Sequence, residues 1–217
     1  MVKDEDQNIL ESFSSSSQGQ LTTNFDDKSK PFVVRGVVKR KEIKECEKEN
    51  RDYYYIDTGY VGNFPSKGNS SGKKIWHRVV KNDVQHTKVE DRPNDRWNIL
   101  TSQDPRLIWS GWKNYNQKIL LYRNQEYSIY DAFNSGVYAT VAFNSIAALE
   151  SVLYGIPAFV SVPCAATPLA STDLSMLKNP FRPEVNVIQK QCHTIAYGQF
   201  SVGEISNGTA YKILNNL

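Results

Sequence analysis

With 217 residues the chain is long enough for one large domain or two smaller lobes, each able to bury a modest core. Its 26 basic residues against 23 acidic ones leave a net charge of only +3, too balanced to make a nucleic acid or an anionic membrane the default partner. Cys46, Cys164 and Cys192 lie far apart with no CxxC spacing, which argues against a disulfide framework or a zinc knuckle and fits a reducing interior.

The opening MVKDEDQNIL has no basic-then-apolar signal pattern, and no apolar run reaches the length of a membrane span. The sequence therefore predicts a soluble, cytoplasmic protein with no membrane partner. Residues 1–30, rich in Ser, Gln, Asp, Thr and Lys and including Ser14 to Ser17, read as a flexible leader. A first lobe is expected over 31–100: a strand in PFVVRGV, a charged helix in VKRKEIKECEKEN, a strand in DYYYIDTGY, and, past a Gly/Ser/Asn-rich loop, a strand in WHRVV. A second lobe is expected over 101–217, opening with a buried strand in KILLYR at 118–123. Residues 139–162 then read as strand (ATVAF), helix (Ile146 to Tyr154), stop (Gly155, Pro157) and strand (AFVSV), because glycine suits the position after a helix and proline follows it. One or two helices end the chain. Strands alternating with helices predict an α/β fold with a parallel sheet in each lobe.

In open parallel sheets ligands bind beyond the carboxyl ends of the strands, where the next helix offers unpaired N–H groups. Asn144 and Ser145 lie at such a point, and either can simply cap the helix. Glu150 falls inside the apolar arc of that helix at about 100° per residue. A carboxylate there needs a hydrogen-bond partner or an opening to a cleft, where it can accept from ligand hydroxyls.

The run NSIAALESVLYGIP resembles the donor-binding segment of GT-B-type glycosyltransferases, most closely the Asn-Ser form of capsule-polysaccharide sugar transferases and more loosely the nucleotide-sugar 2-epimerases. FVVRG (32–36), YYIDTGYVGN (54–63), WHRVVKNDVQH (76–86), RPNDRW (92–97), VPCAATPLASTDLSMLKNP (162–180) and HTIAYGQFSVGEISNGTAYKIL (193–214) resemble, in that order, a family of uncharacterised proteins from tailed, notably marine, phages. The resemblance implies two Rossmann-like lobes of GT-B type, both abbreviated, a nucleotide-sugar donor, and a metal-independent reaction without cofactor, in the host cytoplasm if the chain is phage-encoded. Carried over, Asn144 and Ser145 would meet donor phosphates, and Glu150 would meet ribose or sugar hydroxyls. Thr172 and Asp173 would face the same cleft, as would Arg35, Gly36, Thr58, Gly59 and Tyr60 on loops after strands. Asp57 and His77 are the expected acceptor bases; His77, next to Arg78 at a strand start, could instead donate to a phosphate, and Arg78 is expected to bind substrate. The residues themselves leave Asp57 open as a turn acid leaving a strand and His77 with Arg78 as an exposed strand pair.

Only residues 124–138 join the strands at 118–123 and 139–143, where the family pattern carries another helix and strand, and an initial β-α unit is expected to be missing. These departures keep a second reading open: a catalytically degenerate module of the same fold that binds a nucleotide, a glycan or a host protein. GNSSGKK (68–74) lacks phosphate-loop spacing, and His86 and His193 have no metal-ligand spacing, so no metal is expected. The acceptor stays open between a glycan and a DNA base, and the basic cluster at 39–41 offers a weaker DNA-binding alternative. Trp76, Trp97, Trp109, Trp112 and Tyr53 to Tyr55 are expected in cores or interfaces.

Overall fold

The computed structural model describes residues 5–36, 39–62, 76–115 and 129–217. The expected strand at 118–123 and the GNSSGKK loop lie outside them. In chain order the elements are α1 (Glu5–Ser16), β1 (Phe32–Arg35), α2 (Arg40–Glu49), β2 (Tyr53–Thr58), β3 (Trp76–Lys81), α3 (Asp95–Gln103), α4 (Ile129–Asn134), β4 (Thr140–Ala142), α5 (Ala147–Leu153), β5 (Ala158–Val160), α6 (Val185–Ala196), β6 (Gln199–Ser201), α7 (Val202–Ser206) and α8 (Thr209–Leu214), with short 3-10 turns at Pro105–Leu107, Thr167–Leu169 and Leu174–Lys178. The protein is mixed α/β. Among the described residues no helix is long and apolar enough to cross a membrane.

Two compact units form, one from Met1–Val84 with Ile195–Leu217 and the other from Gln85–Thr194. This division differs from the expected break near residue 100, because the last 23 residues, 195–217, fold with the first unit. Their strand β6 completes a four-stranded sheet of order β1-β2-β3-β6.

Sequence alternation builds the first unit in three layers. Val33, Tyr54, Ile56, Val79 and Phe200 face one side of the sheet and pack with Ile9 and Phe13 of α1, Ile205 of α7 and Tyr211 of α8. Phe32, Val34, Tyr53, Tyr55 and Val80 face the other side, against Ile43 and Cys46 of α2. Burial on both faces explains why Tyr53 to Ile56 is a continuous apolar run rather than an alternating one. β1 runs parallel to β2 across α2, as the β-α-β reading predicted, but the sheet is not parallel throughout as expected: β3 runs antiparallel to β2, and β6 antiparallel to β3. Apolar periodicity places a strand without giving its direction.

The expected flexible leader is another difference. Residues 5–16 form α1, and Phe13 lies in the core with edge-on rings at 5.5 Å to Tyr54 and 6.3 Å to Tyr211. Ser14, Ser16 and Ser17 do not prevent this helix. Their hydroxyls donate to the carbonyls of Leu21, Ile205 and Ser14 respectively, so the serine run terminates α1 and ties it down. At the other end of the chain, Asn215 Oδ1 accepts from the Tyr54 hydroxyl at 2.7 Å and from Lys81 Nζ at 3.1 Å, while its amide donates to Tyr211 O. Asn215→Ala leaves the Tyr54 hydroxyl without this acceptor, and urea denaturation should show a loss of about 1–3 kcal/mol. A loss below about 0.5 kcal/mol would mean that solvent takes over the bond.

In the second unit β4 and β5 pair in parallel, Thr140 to Ala158 through Ala142 to Val160, with α5 as the crossover. The helix spans one residue less at each end than the sequence predicts. Its stop is as expected: Gly155 takes a left-handed conformation, φ +85°, and its N–H donates to Val152 O. Phe133 and Val137 pack with Ile156 in a core that Tyr130 and Tyr154 border.

Candidate functional site

In the first unit one end of the sheet collects all eight residues expected there. Arg35 and Gly36 end β1, and Asp57 to Tyr60 end the parallel strand β2. His77 and Arg78 begin the antiparallel β3, so they lie opposite Thr58 and Asp57. Their chemistry is mostly spent on one another. Asp57 accepts from the Tyr55 hydroxyl at 2.8 Å, from the Thr58 N–H at 2.7 Å and from Arg78 at 3.0 Å. Burial alone would raise its pKa, but the Tyr55 and Thr58 hydrogen bonds and the Arg78 charge outweigh it and hold the carboxyl below the usual carboxylate range. Arg78 stacks on the rings of Tyr55, 4.9 Å, and Tyr60, 4.6 Å, and donates to the Tyr60 hydroxyl and Val84 O. Burial also pushes the Tyr55 hydroxyl up to about 12, with the Asp57 bond adding to it. His77 is 1% exposed and the Arg78 side chain 13%, so the pair is not the exposed strand pair the residues left open: β3 lies inside the sheet, between β2 and β6. Gly36 N–H donates to Ile56 O, and Gly59 N–H to Trp76 O.

In the second unit the carboxyl end of the parallel pair gathers the expected ligand residues. Beyond β5 a third segment joins in parallel, Ser171 bridging Phe159. Val160 N–H donates to Ser171 O, and Ser171 N–H to Ala158 O. Three backbone segments thus end side by side in register, followed respectively by Phe143-Asn144-Ser145, by Ser161, and by Thr172-Asp173. All six of these residues are exposed. Ser145 is a cap: its hydroxyl accepts from Ala147 N–H at 3.2 Å and its carbonyl from Ala148 N–H at 3.1 Å. Asp173 caps the following 3-10 turn by accepting from Ser175 N–H at 2.8 Å, and hydrogen bonding from Ser175 holds its pKa below the ordinary value. Phe143, 67% exposed, was not predicted as part of the site. Its signal was an aromatic residue at the end of a strand and directly before Asn-Ser.

Glu150 has the partner its place in the apolar arc demands. The Tyr130 hydroxyl of α4 donates to it at 3.3 Å. Arg106, from the 3-10 turn, sits 4.8 Å from the Tyr130 ring and is itself bound in a fork to Asp104, Nε to Oδ1 and Nη2 to Oδ2, both 2.9 Å. Burial raises the Glu150 pKa. The Tyr130 bond and the Arg106 charge oppose that rise and the Asp104 charge adds to it. Asp104, Arg106 and Tyr130 are distant in sequence from Glu150, and no spacing rule joins them.

Among the described residues no three His, Cys, Asp or Glu side chains are grouped to hold a metal ion. Comparison with protein-family models, with curated proteins and with solved structures gave no match to this chain.

Proposed function

We propose that the chain is a glycosyltransferase-like protein whose second unit binds a nucleotide-activated sugar at the carboxyl edge of β4 and β5. One observation carries this reading: three parallel segments end in register and leave Asn144, Ser145, Ser161, Thr172 and Asp173 exposed at one edge, where doubly wound α/β sheets take their ligands. The amide of Asn144 and the hydroxyls of Ser145 and Thr172 are donors suited to phosphate oxygens, and the Asp173 carboxylate is an acceptor suited to sugar hydroxyls. Phe143 offers a flat apolar face on which a base can stack, worth about 1–3 kcal/mol in comparable settings. Glu150, hydrogen-bonded by the Tyr130 hydroxyl, lies on α5, the helix that follows this edge. The resemblance of NSIAALESVLYGIP to donor-binding segments points the same way. The two-lobed GT-B arrangement and the transfer of the sugar to a glycan or DNA acceptor belong to the proposal as well.

A second reading, binding without transfer, is favoured by the state of the two expected bases. A carboxylate with a lowered pKa, tied by three hydrogen bonds, is a weak proton acceptor, and a histidine that is 1% exposed does not meet an acceptor hydroxyl.

Titration calorimetry with uridine, cytidine, guanosine and thymidine diphosphates and their sugar esters tests the binding claim. At least one should bind, and Asn144→Ala should weaken it about tenfold, the worth of one hydrogen bond to a charged oxygen. Binding accompanied by release of free nucleotide supports transfer or hydrolysis. Binding without release supports the second reading, and no binding by any member of the panel rejects the nucleotide-sugar donor site.

A further inference from the structure

The cluster around Glu150 is unbalanced in a way that does not depend on any ligand. An ionised carboxylate has room for about four hydrogen bonds, and among the described residues the part-buried Glu150 receives one, from the Tyr130 hydroxyl at the long distance of 3.3 Å. The nearby cation is already engaged. Arg106 grips Asp104 with two parallel bonds of 2.9 Å, and the Arg106 main-chain N–H donates to the same carboxylate at 3.0 Å. Among the described residues two acids therefore compete for the Arg106 guanidinium, and Asp104 holds it.

Among the described residues the other surroundings of α5 do not compensate. The paired stretches of β4 and β5 contribute no titratable side chain. At the far end of the helix the Lys113 ammonium rests 3.3 Å from the centre of the Tyr154 ring, which directs it to the aromatic face. Among the described residues the charged and titratable groups that act on Glu150 are thus Tyr130 from α4, Arg106 from the turn and Asp104, which caps that turn.

We propose that Glu150 is a pH-sensitive latch: as a neutral carboxyl it seats α5 against α4 and the 105–107 turn, and as a carboxylate it loosens that seat. Neutral, it satisfies Tyr130 with one oxygen and presents a proton of its own; ionised, it is a poorly solvated charge beside Asp104. The sign follows from the direction of the shift. Because burial raises the folded-state pKa above the unfolded one, the folded unit binds the extra proton. Stabilisation from Glu150 is complete below the ordinary glutamate value and is lost as pH rises through its raised value. The helix concerned begins two residues after Ser145, so the latch acts on the element that carries the exposed edge.

Hydrogen exchange of the full chain tests this. Once divided by intrinsic exchange rates, the protection of the α5 amides should fall with rising pH by up to tenfold per pH unit, the most that one proton can give. In Glu150→Gln the protection should be independent of pH across that range. The titration of the Glu150 side-chain carbon in the unmodified protein gives a second reading that needs no variant, and its midpoint should lie above that of an ordinary glutamate. A midpoint at or below the ordinary value, or a Glu150→Gln protein with the pH dependence of the parent, overturns the proposal.

Discussion

Gly155→Ala should unfold or severely destabilise the second unit. A Cβ at this position would stand 1.9 Å from the carbonyl oxygen of Gly111, a backbone atom with no rotamer by which to move away. Gly155 also sits at φ +85°, where an L side chain costs about 1–2 kcal/mol before any clash. Overpacking a closed site adds about 1–3 kcal/mol. The close approach is not incidental, because Gly155 O accepts from Lys113 N–H at 2.8 Å and so binds the segment around residue 111 to the end of α5. Pushing the two apart breaks that bond as well. A fall in melting temperature of roughly 10 °C or more is expected for a unit of this size. A fall of less than about 2 °C would mean that the two backbones do not meet as described.

Phe13→Ala is the second large effect, and it separates a packed helix from a flexible leader. The ring is fully buried among Ile9, Tyr54, Phe200 and Tyr211, and its removal leaves a cavity in the middle of one sheet face. Truncations of this kind cost about 3–5 kcal/mol. A leader would lose nothing. Ile99→Ala on the exposed side of α3, 46% exposed, serves as the control and should change stability by no more than about 0.5 kcal/mol. Chemical denaturation of both variants compares them directly.

These two positions show what the sequence made legible and what it hid. Gly155 and Pro157 punctuate the chain strongly, and the strand-helix-strand reading of 139–162 matches β4, α5 and β5 to within a residue or two. Tyr53 to Ile56 and Val79-Val80 are apolar runs flanked by polar residues, and both are strands as read. By contrast α1 was masked by composition: four serines in a row suggested disorder, although Ile9 and Phe13 stand one helical turn apart and mark an apolar stripe. The antiparallel course of β3 was hidden because direction depends on the connection rather than on periodicity. Strand β6 is three residues long, too short for alternation to register, even though the Ser201-Glu204 capping box announces the helix that follows it.

The candidate site divides along the same line. Asn144, Ser145, Thr172 and Asp173 were legible because strand ends and loop positions can be read locally, and parallel pairing then brings them to one edge. Ser161 and Phe143 join them only through the register. The role of Glu150 was half legible. Its position on the apolar arc required a partner, but the partner comes from α4, and the competing acid, Asp104, and the cation it holds, Arg106, lie more than forty residues upstream. Asp57 and Arg78 were read as separate candidates for catalysis and binding. Cross-strand register makes them neighbours, and their ion pair removes much of the reactivity that either would have alone.

The most direct measurement of the central claim is a map of backbone amide shifts in the full chain as a bound nucleoside diphosphate or its sugar ester from the calorimetric panel is added. The account predicts that the largest changes fall on residues 143–145, 161–162 and 172–173, and that Asn144→Ala diminishes them together. Changes centred on any other part of the chain, with those three segments unmoved at saturation, would contradict it.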